Sequence, residues 1–312
     1  MLEIVSSASE FETVPIRRHE DVLLRRIYDR MPLKLDKIQF ENPFHKTFIL
    51  LQAHFSRLTL PADLAQDQRD ILNRVLTLLN ACVDVMSSGA MLNAIVAMEI
   101  SHMCVQAVWD RDSPLRQVPH FTAATIQRCQ ARGIHDVYAL ADVLPDMSQH
   151  ERDELLQLNK RQLADVATLT NEFPYVDIEF DILDKEKLDS ASPIILQAKL
   201  ERDVDEEEEQ PSDLTAIAPF YPSPKMAAWW LVIGDPGTNS LLSIKRVTIA
   251  KTLDVRLEFM LPAGMYDKLK LYLMCDSYIG ADRELEVPAL HVAQGEEDEE
   301  LDDEDNIEMP DA

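Results

Sequence analysis

The sequence predicts a multidomain chain of mixed α plus β class, with helices filling the first half and antiparallel strands the second. Two observations carry this. Apolar residues recur at three- and four-residue steps as far as Glu172, and from Pro174 the period switches to two. Seven short strand candidates then follow in about 120 residues with no helical crossover between them, which is what antiparallel pairing permits. With 312 residues, 46% of them hydrophobic, there is material for two or three domains at about 100–200 residues each.

The first 112 residues read as a helical bundle. Asp21 to Arg30 gives a short amphipathic helix bearing Arg25, Arg26 and Arg30. Asn42-Pro43 opens a second, with Asn as cap and Pro at the first helical position, where its missing N–H costs nothing. Phe44, Phe48, Leu51, Phe55 and Leu58 line one face of it. Asp63 is the expected cap of a third helix, running through Ile71, Val75, Leu79 and Val83 to Ser88-Gly89. Ala90 to Trp109 is apolar on nearly every side, the mark of a central helix.

Residues 113–173 read as a compact unit of four short helices. Thr122 to Arg132 ends at Gly133, and Ile134 to Val143 follows. Ser148 and Glu151 have capping-box spacing, in which each side chain bonds an orphan N–H. Asn159 caps Lys160 to Glu172, whose Leu163, Val166, Ala167 and Thr170 share a face. From residue 174 to 292 the strand candidates are 176–182, 193–200, 227–233, 241–250, 253–260, 268–275 and 284–289. Turn signals at Gly234-Asp235-Pro236-Gly237, Pro262-Ala263-Gly264 and Gly280 separate several of them, which suggests a β-sandwich of immunoglobulin or fibronectin type III kind.

The net charge of −26 is unevenly spread. An acidic loop at 201–213 carries −7 and an acidic tail at 293–312 carries −11, leaving −8 for the rest. Such runs repel themselves and bury nothing, so solvated, disordered segments are expected. The acidic balance disfavours phosphate backbones. The N-terminus has no basic start or long apolar core, so no signal peptide is expected, and no run of about 18 apolar residues suggests a membrane span. The four cysteines form no C-x-x-C pair and read as reduced thiols.

No catalytic, cofactor or metal site is expected. The seven glycines build neither a P-loop nor a dinucleotide fingerprint, the eight histidines are scattered, and no G-x-S-x-G elbow occurs. Two features have binding potential. One is a basic strip, Arg17, Arg18, Arg25, Arg26, Arg30, Lys34 and Lys37, suited to RNA phosphate or an acidic protein surface. A plainer reading pairs these cations with Glu20, Asp21, Asp29 and Asp36. The other is Trp229-Trp230 beside Lys245 and Arg246. Adjacent strand residues face opposite ways, so one indole is core and the other points outward, against an arginine or toward a partner.

VPIRRHEDVLLRR (14–26), LLQAHFSRL (50–58), SPLRQVPHF (113–121), LLQLNKRQLADVA (155–167), WWLVIGD (229–235) and SLLSIKRVTI (240–249) resemble the Brl module, also called the Sec-sixty-three homology unit. The resemblance runs from about residue 2 to 292 and is greatest to the second, C-terminal copy in tandem-cassette DExH-box RNA helicases of the spliceosomal U-five small nuclear ribonucleoprotein. It implies a helical bundle, a helix-hairpin-helix unit and an immunoglobulin-like sandwich, in that order. It also implies a nuclear, non-catalytic module of a pre-mRNA splicing RNA helicase, a protein-interaction and regulatory platform meeting spliceosomal proteins and the motor domains of its parent chain. The alternative is an accessory RNA-binding module using 17–37. In active members a long bundle helix follows single-stranded nucleic acid with basic and aromatic side chains. The matching stretch here, Ala90 to Trp109, has no Lys or Arg, and Gly133 stands alone where a G-x-G hairpin is usual, so RNA binding is expected to be weak or absent.

Overall fold

A computed structural model of the chain describes residues 1–203 and 214–295. The expected acidic loop and tail lie outside these, apart from their first three residues each.

The bundle comprises α1 (Leu2–Ser6), α2 (Asp21–Tyr28), α3 (Pro43–Phe55), α4 (Ala62–Ser88) and α5 (Ile95–Gln106). Asn42 caps α3 as expected, its Oδ1 accepting from Phe44 N at 2.9 Å. Asp63 does not cap α4. The helix starts one residue earlier, at Ala62 after Pro61, and places Asp63 in its first turn, where a negative charge still suits the positive helix end. Nothing in the spacing marked α1, although it buries Leu2 and Val5.

The expected helix from Ala90 to Trp109 is cut short at its start. Ala90 is left-handed at φ 53°, which no helix continues, and Leu92 N bonds Asn239 O at 3.0 Å and Asn93 N bonds Asn239 Oδ1 at 2.9 Å, so a hairpin tip far along the chain seats the segment ahead of α5. Leu92–Ala94 is therefore a 3-10 turn, and α5 ends at Ala107, held left-handed at φ 52°. The long helix of the bundle is α4, with 27 residues.

His54, on α3, is buried and its Nε2 donates to the Cys104 carbonyl on α5 at 2.7 Å. Burial pushes its pKa down from 6.5 to about 4, so the unfolded chain takes up a proton there that the folded chain refuses. The stability it contributes is complete above about pH 6.5 and is lost as pH falls toward 4, with about 2 kcal/mol gone by pH 5. In urea melts, His54→Gln, whose amide can still reach Cys104, will decline less steeply between these pH values than the parent. Equal slopes would reject the assignment.

Four further helices follow: α6 (Ala123–Ala131), α7 (Val137–Val143), α8 (Gln149–Leu156) and α9 (Lys160–Glu172). Both reciprocal bonds of the Ser148/Glu151 capping box form at α8, and Asn159/Gln162 form another at α9. α7 begins later than Ile134 because Asp136 caps it, accepting from Ala139 N at 2.8 Å. On α9 the buried pair is Val166 and Leu169, while Ala167 is exposed, a correction to the expected face.

The strands are β1 (Val176–Ile182), β2 (Ile194–Arg202), β3 (Trp229–Asp235), β4 (Ser240–Val247), β5 (Thr252–Phe259), β6 (Gly264–Tyr266), β7 (Lys270–Cys275), β8 (Arg283–Glu286) and β9 (Leu290–Val292). β6 and β9, three residues each, were not expected; they pair with each other. The larger sheets are antiparallel with orders β1-β2-β5 and β4-β3-β7-β8. Their facing sides share one core, with Leu196, Ala198 and Leu257 from the first sheet and Trp229, Leu231 and Leu273 from the second. The same apolar cluster reaches back through Leu169 and Leu140 to Leu115.

The other side of the four-stranded sheet is covered too. Trp230, Val232, Tyr272 and Met274 belong to the bundle's core, with Leu72, Met98 and Cys104. β3 thus has no wet face, which explains its unbroken apolar run from Trp229 to Ile233. Gly234 permits the approach: a Cβ there would stand 2.6 Å from Leu92 Cδ1 and 2.6 Å from Ser240 O.

Candidate interaction surfaces

The basic strip divides into an inward and an outward part. Arg17 points in. Its guanidinium donates to Asp67 Oδ1 at 2.8 Å and to Glu20 Oε1 at 3.0 Å. Beneath it Lys46, with no exposed surface, donates to Glu20 Oε2 at 2.7 Å, Asp67 Oδ2 at 2.7 Å and Pro15 O at 2.6 Å. Burial works against ionisation of Asp67, but hydrogen bonds from Arg17 and Lys46 outweigh it and hold the carboxyl below its usual range. Arg17 is thus engaged in an internal network that ties the α2 approach to α3 and α4, with its side chain 36% exposed.

Arg18, Arg25, Arg26 and Arg30 are exposed, and among the described residues none makes an ion pair. The plainer reading, pairing with local acids, holds for Glu20 and Arg17 alone: Asp21, Asp29 and Asp36 form no ion pair among the described residues. The Arg25 guanidinium lies over the Phe40 ring at 4.8 Å, and the Lys34 ammonium lies over Tyr28 at 4.3 Å and donates to the Tyr28 carbonyl, so both cations lean on rings of the bundle while the residues stay exposed. Lys37 is exposed.

Of the two alternatives for the tryptophan pair, the structure places the second indole against an arginine. The two indoles do point to opposite faces, but neither is open. Trp229 is buried in the core between the sheets, and Trp230, at 4% exposure, is buried against the bundle. Arg246 stacks on Trp230 at 3.7 Å and pairs with buried Asp276, which also takes Lys225 Nζ at 2.6 Å and Ala228 N at 3.0 Å. Lys245 stays exposed and donates to Arg256 O at 3.0 Å. Trp229 and Trp230 are therefore taken up by internal packing, while Arg246 covers the second indole from the exposed side. The alternation rule told the faces apart; it held no signal that a helical bundle covers the second one.

No group of three or more His, Cys, Asp or Glu side chains among the described residues has metal-holding geometry. The four cysteines are unpaired, and burial pushes the thiols of Cys104 and Cys275 well up, away from nucleophilic use. Among the described residues no helix is long and apolar enough to cross a membrane. Two open regions escaped the sequence reading. One is an apolar groove along α1, α4 and α5, whose Ile4, Val85 and Val96 lie on the exposed side of their helices. The other is a cleft lined by Arg57, Arg111 and Arg116. Arg57 there is pushed down to about 10, first by burial and then by Arg116, and donates to the Gln106 and Ala107 carbonyls at the end of α5.

The family model for the Sec63 Brl domain matches residues 1–288. The chain belongs to the Sec63 Brl domain family. It is 46% identical over 287 residues to the pre-mRNA-splicing factor brr2 of Schizosaccharomyces pombe, covering 92% of this chain and 13% of that protein. It is 41% identical over 303 residues to the U5 small nuclear ribonucleoprotein 200 kDa helicase of Homo sapiens, covering 97% of this chain and 14% of that protein. An activating signal cointegrator 1 complex subunit 3-like protein of Dictyostelium discoideum is 38% identical over 293 residues, with 92% of this chain and 13% of that protein covered. The chain thus spans 13–14% of the length of these relatives. The Brl domain match takes in the bundle, the four short helices and nearly all of the strands.

Proposed function

We propose that this Brl domain is the second, C-terminal copy of a nuclear pre-mRNA splicing RNA helicase. In this reading it works without catalysis as a protein-interaction and regulatory platform, set against the motor domains of its parent chain. Its parts are then a bundle at 1–112, a helix-hairpin-helix unit at 113–173 and an immunoglobulin-like sandwich at 174–292. The relatives named for splicing and for the U5 particle support the setting. The observation that carries the platform role is the row of exposed, unpaired arginines Arg18, Arg25, Arg26 and Arg30 on and beside α2, in a chain otherwise strongly acidic. Such a patch selects an acidic protein surface and steers its approach.

The test immobilises residues 1–292 and 1–312 and exposes each to nuclear extract with and without ribonuclease. Splicing proteins will be retained after ribonuclease, and reversing the four arginines to Glu will cut retention about tenfold or more. Exposed, unpaired positions tolerate such changes within about 0.5 kcal/mol each, so the fold will survive. The same four cations favour a second reading, accessory RNA binding. That reading requires retention to vanish with ribonuclease and a steep loss of RNA affinity with salt.

A further inference from the structure

Along one side of the bundle, α1, α4 and α5 leave a groove between them. Its wider part, about 660 Å³, is walled by Met1, Ile4, Leu78, Val85, Met86 and Val96. Beyond Val96 it runs into a second hollow of about 270 Å³, walled by Leu33, Ile100, Met103 and Trp109. Ile4 is 67% exposed, Val85 70% and Val96 41%, so three helices present open apolar side chains to one trough. Two carboxylates stand in this setting, the exposed Asp110 and Glu99. Glu99 follows Val96 by one helical turn on the same face of α5, is half-buried, and makes no hydrogen bond or ion pair among the described residues. Burial pushes its carboxyl up; His102 draws it back in part, and Asp282 and Asp110 add to the rise. Arg111 also borders the hollow, but it lies toward the Trp109 ring, 5.4 Å from its centroid.

We propose that this groove is the docking site for an amphipathic helix of a partner protein, whose apolar face fills the α1/α4 part and whose single Lys or Arg reaches Glu99. The inference rests on the platform reading and adds to it an apolar seat distinct from the arginine patch. The charge pattern chooses the occupant. Covering an unpaired carboxylate with purely apolar surface leaves a buried charge uncompensated, so the occupant must bring a cation. Nucleic acid is refused, because the lining's one Arg is turned to Trp109 and the lining acids repel phosphate. A helix with apolar anchors at i, i+3, i+4 and i+7 matches a trough bounded by helices.

The experiment is a selection from a displayed library of helical peptides, using the whole chain as bait. Enriched peptides will share the i, i+3, i+4, i+7 apolar pattern with one Lys or Arg inside it, and will compete with one another. Val85→Asp and Val96→Asp change exposed side chains, so they will keep the parental melting curve and lose these peptides by about tenfold or more in Kd. Glu99→Lys will invert the preference, enriching Asp or Glu at the central position. Failure to enrich such peptides, or enrichment indifferent to Val96→Asp or to Glu99→Lys, would overturn the proposal. Because no nuclear protein enters the selection, that failure is separate from failure of the extract experiment, and reversing the α2 arginines will leave peptide binding unchanged.

Discussion

Replacing Lys46 with Met will cost about 3–5 kcal/mol at pH 7, a large share of the roughly 5–15 kcal/mol a domain has in total. The ammonium, fully buried, is shared between Glu20 and Asp67 at 2.7 Å each and also bonds the Pro15 carbonyl. With Met in its place, both carboxylates remain buried and Arg17 is their one remaining cation, itself partly solvated. The loss must depend on pH in a defined sense. In the parent, Asp67 is held below its ordinary range, so its contribution is present at neutral pH and disappears only as pH falls through that lowered value. In Lys46→Met, Asp67 keeps Arg17 but loses the second group that holds its carboxyl down, so it takes up a proton more readily and the deficit will shrink as pH falls from 7 toward about 5. Urea melts at both values decide it: a deficit below about 1 kcal/mol at pH 7, or one that grows on acidification, would remove the network from the account of stability. Neutralising Glu20 and Asp67 together in the Lys46→Met background should recover most of the loss, since well-packed apolar substitutes for a buried ion cluster are often neutral or stabilising.

Trp230→Ala is expected to cost about 3–5 kcal/mol, as for a large aromatic removed from a packed core. The location matters more than the size. Trp230 projects from β3 into the bundle core, in the same cluster as Val232, Met274 and the apolar residues of α4 and α5. Its removal also takes away the ring under Arg246, leaving that guanidinium to Asp276 alone. Hydrogen exchange will therefore speed up together in α4, α5 and β3, although the substitution lies in one of them. Trp230→Phe, which keeps most of the apolar contact, should lose less than half as much. Faster exchange confined to β3 and β4 would mean that the indole packs against the bundle without joining it to the sheet.

These two positions show where the sequence was readable and where it was not. Asn42-Pro43, Ser148/Glu151 and Asn159 announced α3, α8 and α9 because capping is local: donor and acceptor lie within three residues. β1 followed from period-two patterning for the same reason, whereas β3 and β7 were marked by short apolar runs between turn signals. Lys46 gave no sign, since its partners lie 21 and 26 residues away and its neighbours on α3 are ordinary. The start of α5 was misread because Ala90 is left-handed and Asn239, well over a hundred residues later, seats the segment ahead of the helix. The arginines of α2 were found by composition alone, but whether they were paired depended on where Glu20 and Asp67 sit in space. The groove was unreadable because an exposed valine such as Val85 looks like any other in a helix.

The doubly covered strand β3 carries a problem of alignment. A strand with one wet face is kept in register by solvent, since a slip of one residue would turn its apolar set outward. β3 lacks that safeguard: Trp229, Leu231 and Ile233 face one core, Trp230 and Val232 the other, and a slipped strand would still be apolar on both sides. Shape must do the sorting. Only one alignment puts the residue without a Cβ beneath Leu92 and brings the Asn239 carbonyl to the Leu92 amide. Both gauges belong to the helical segment, which leaves the ribosome well before β3 does. The bundle is thus a jig for the sheet: Leu92 supplies both points against which the hairpin is measured.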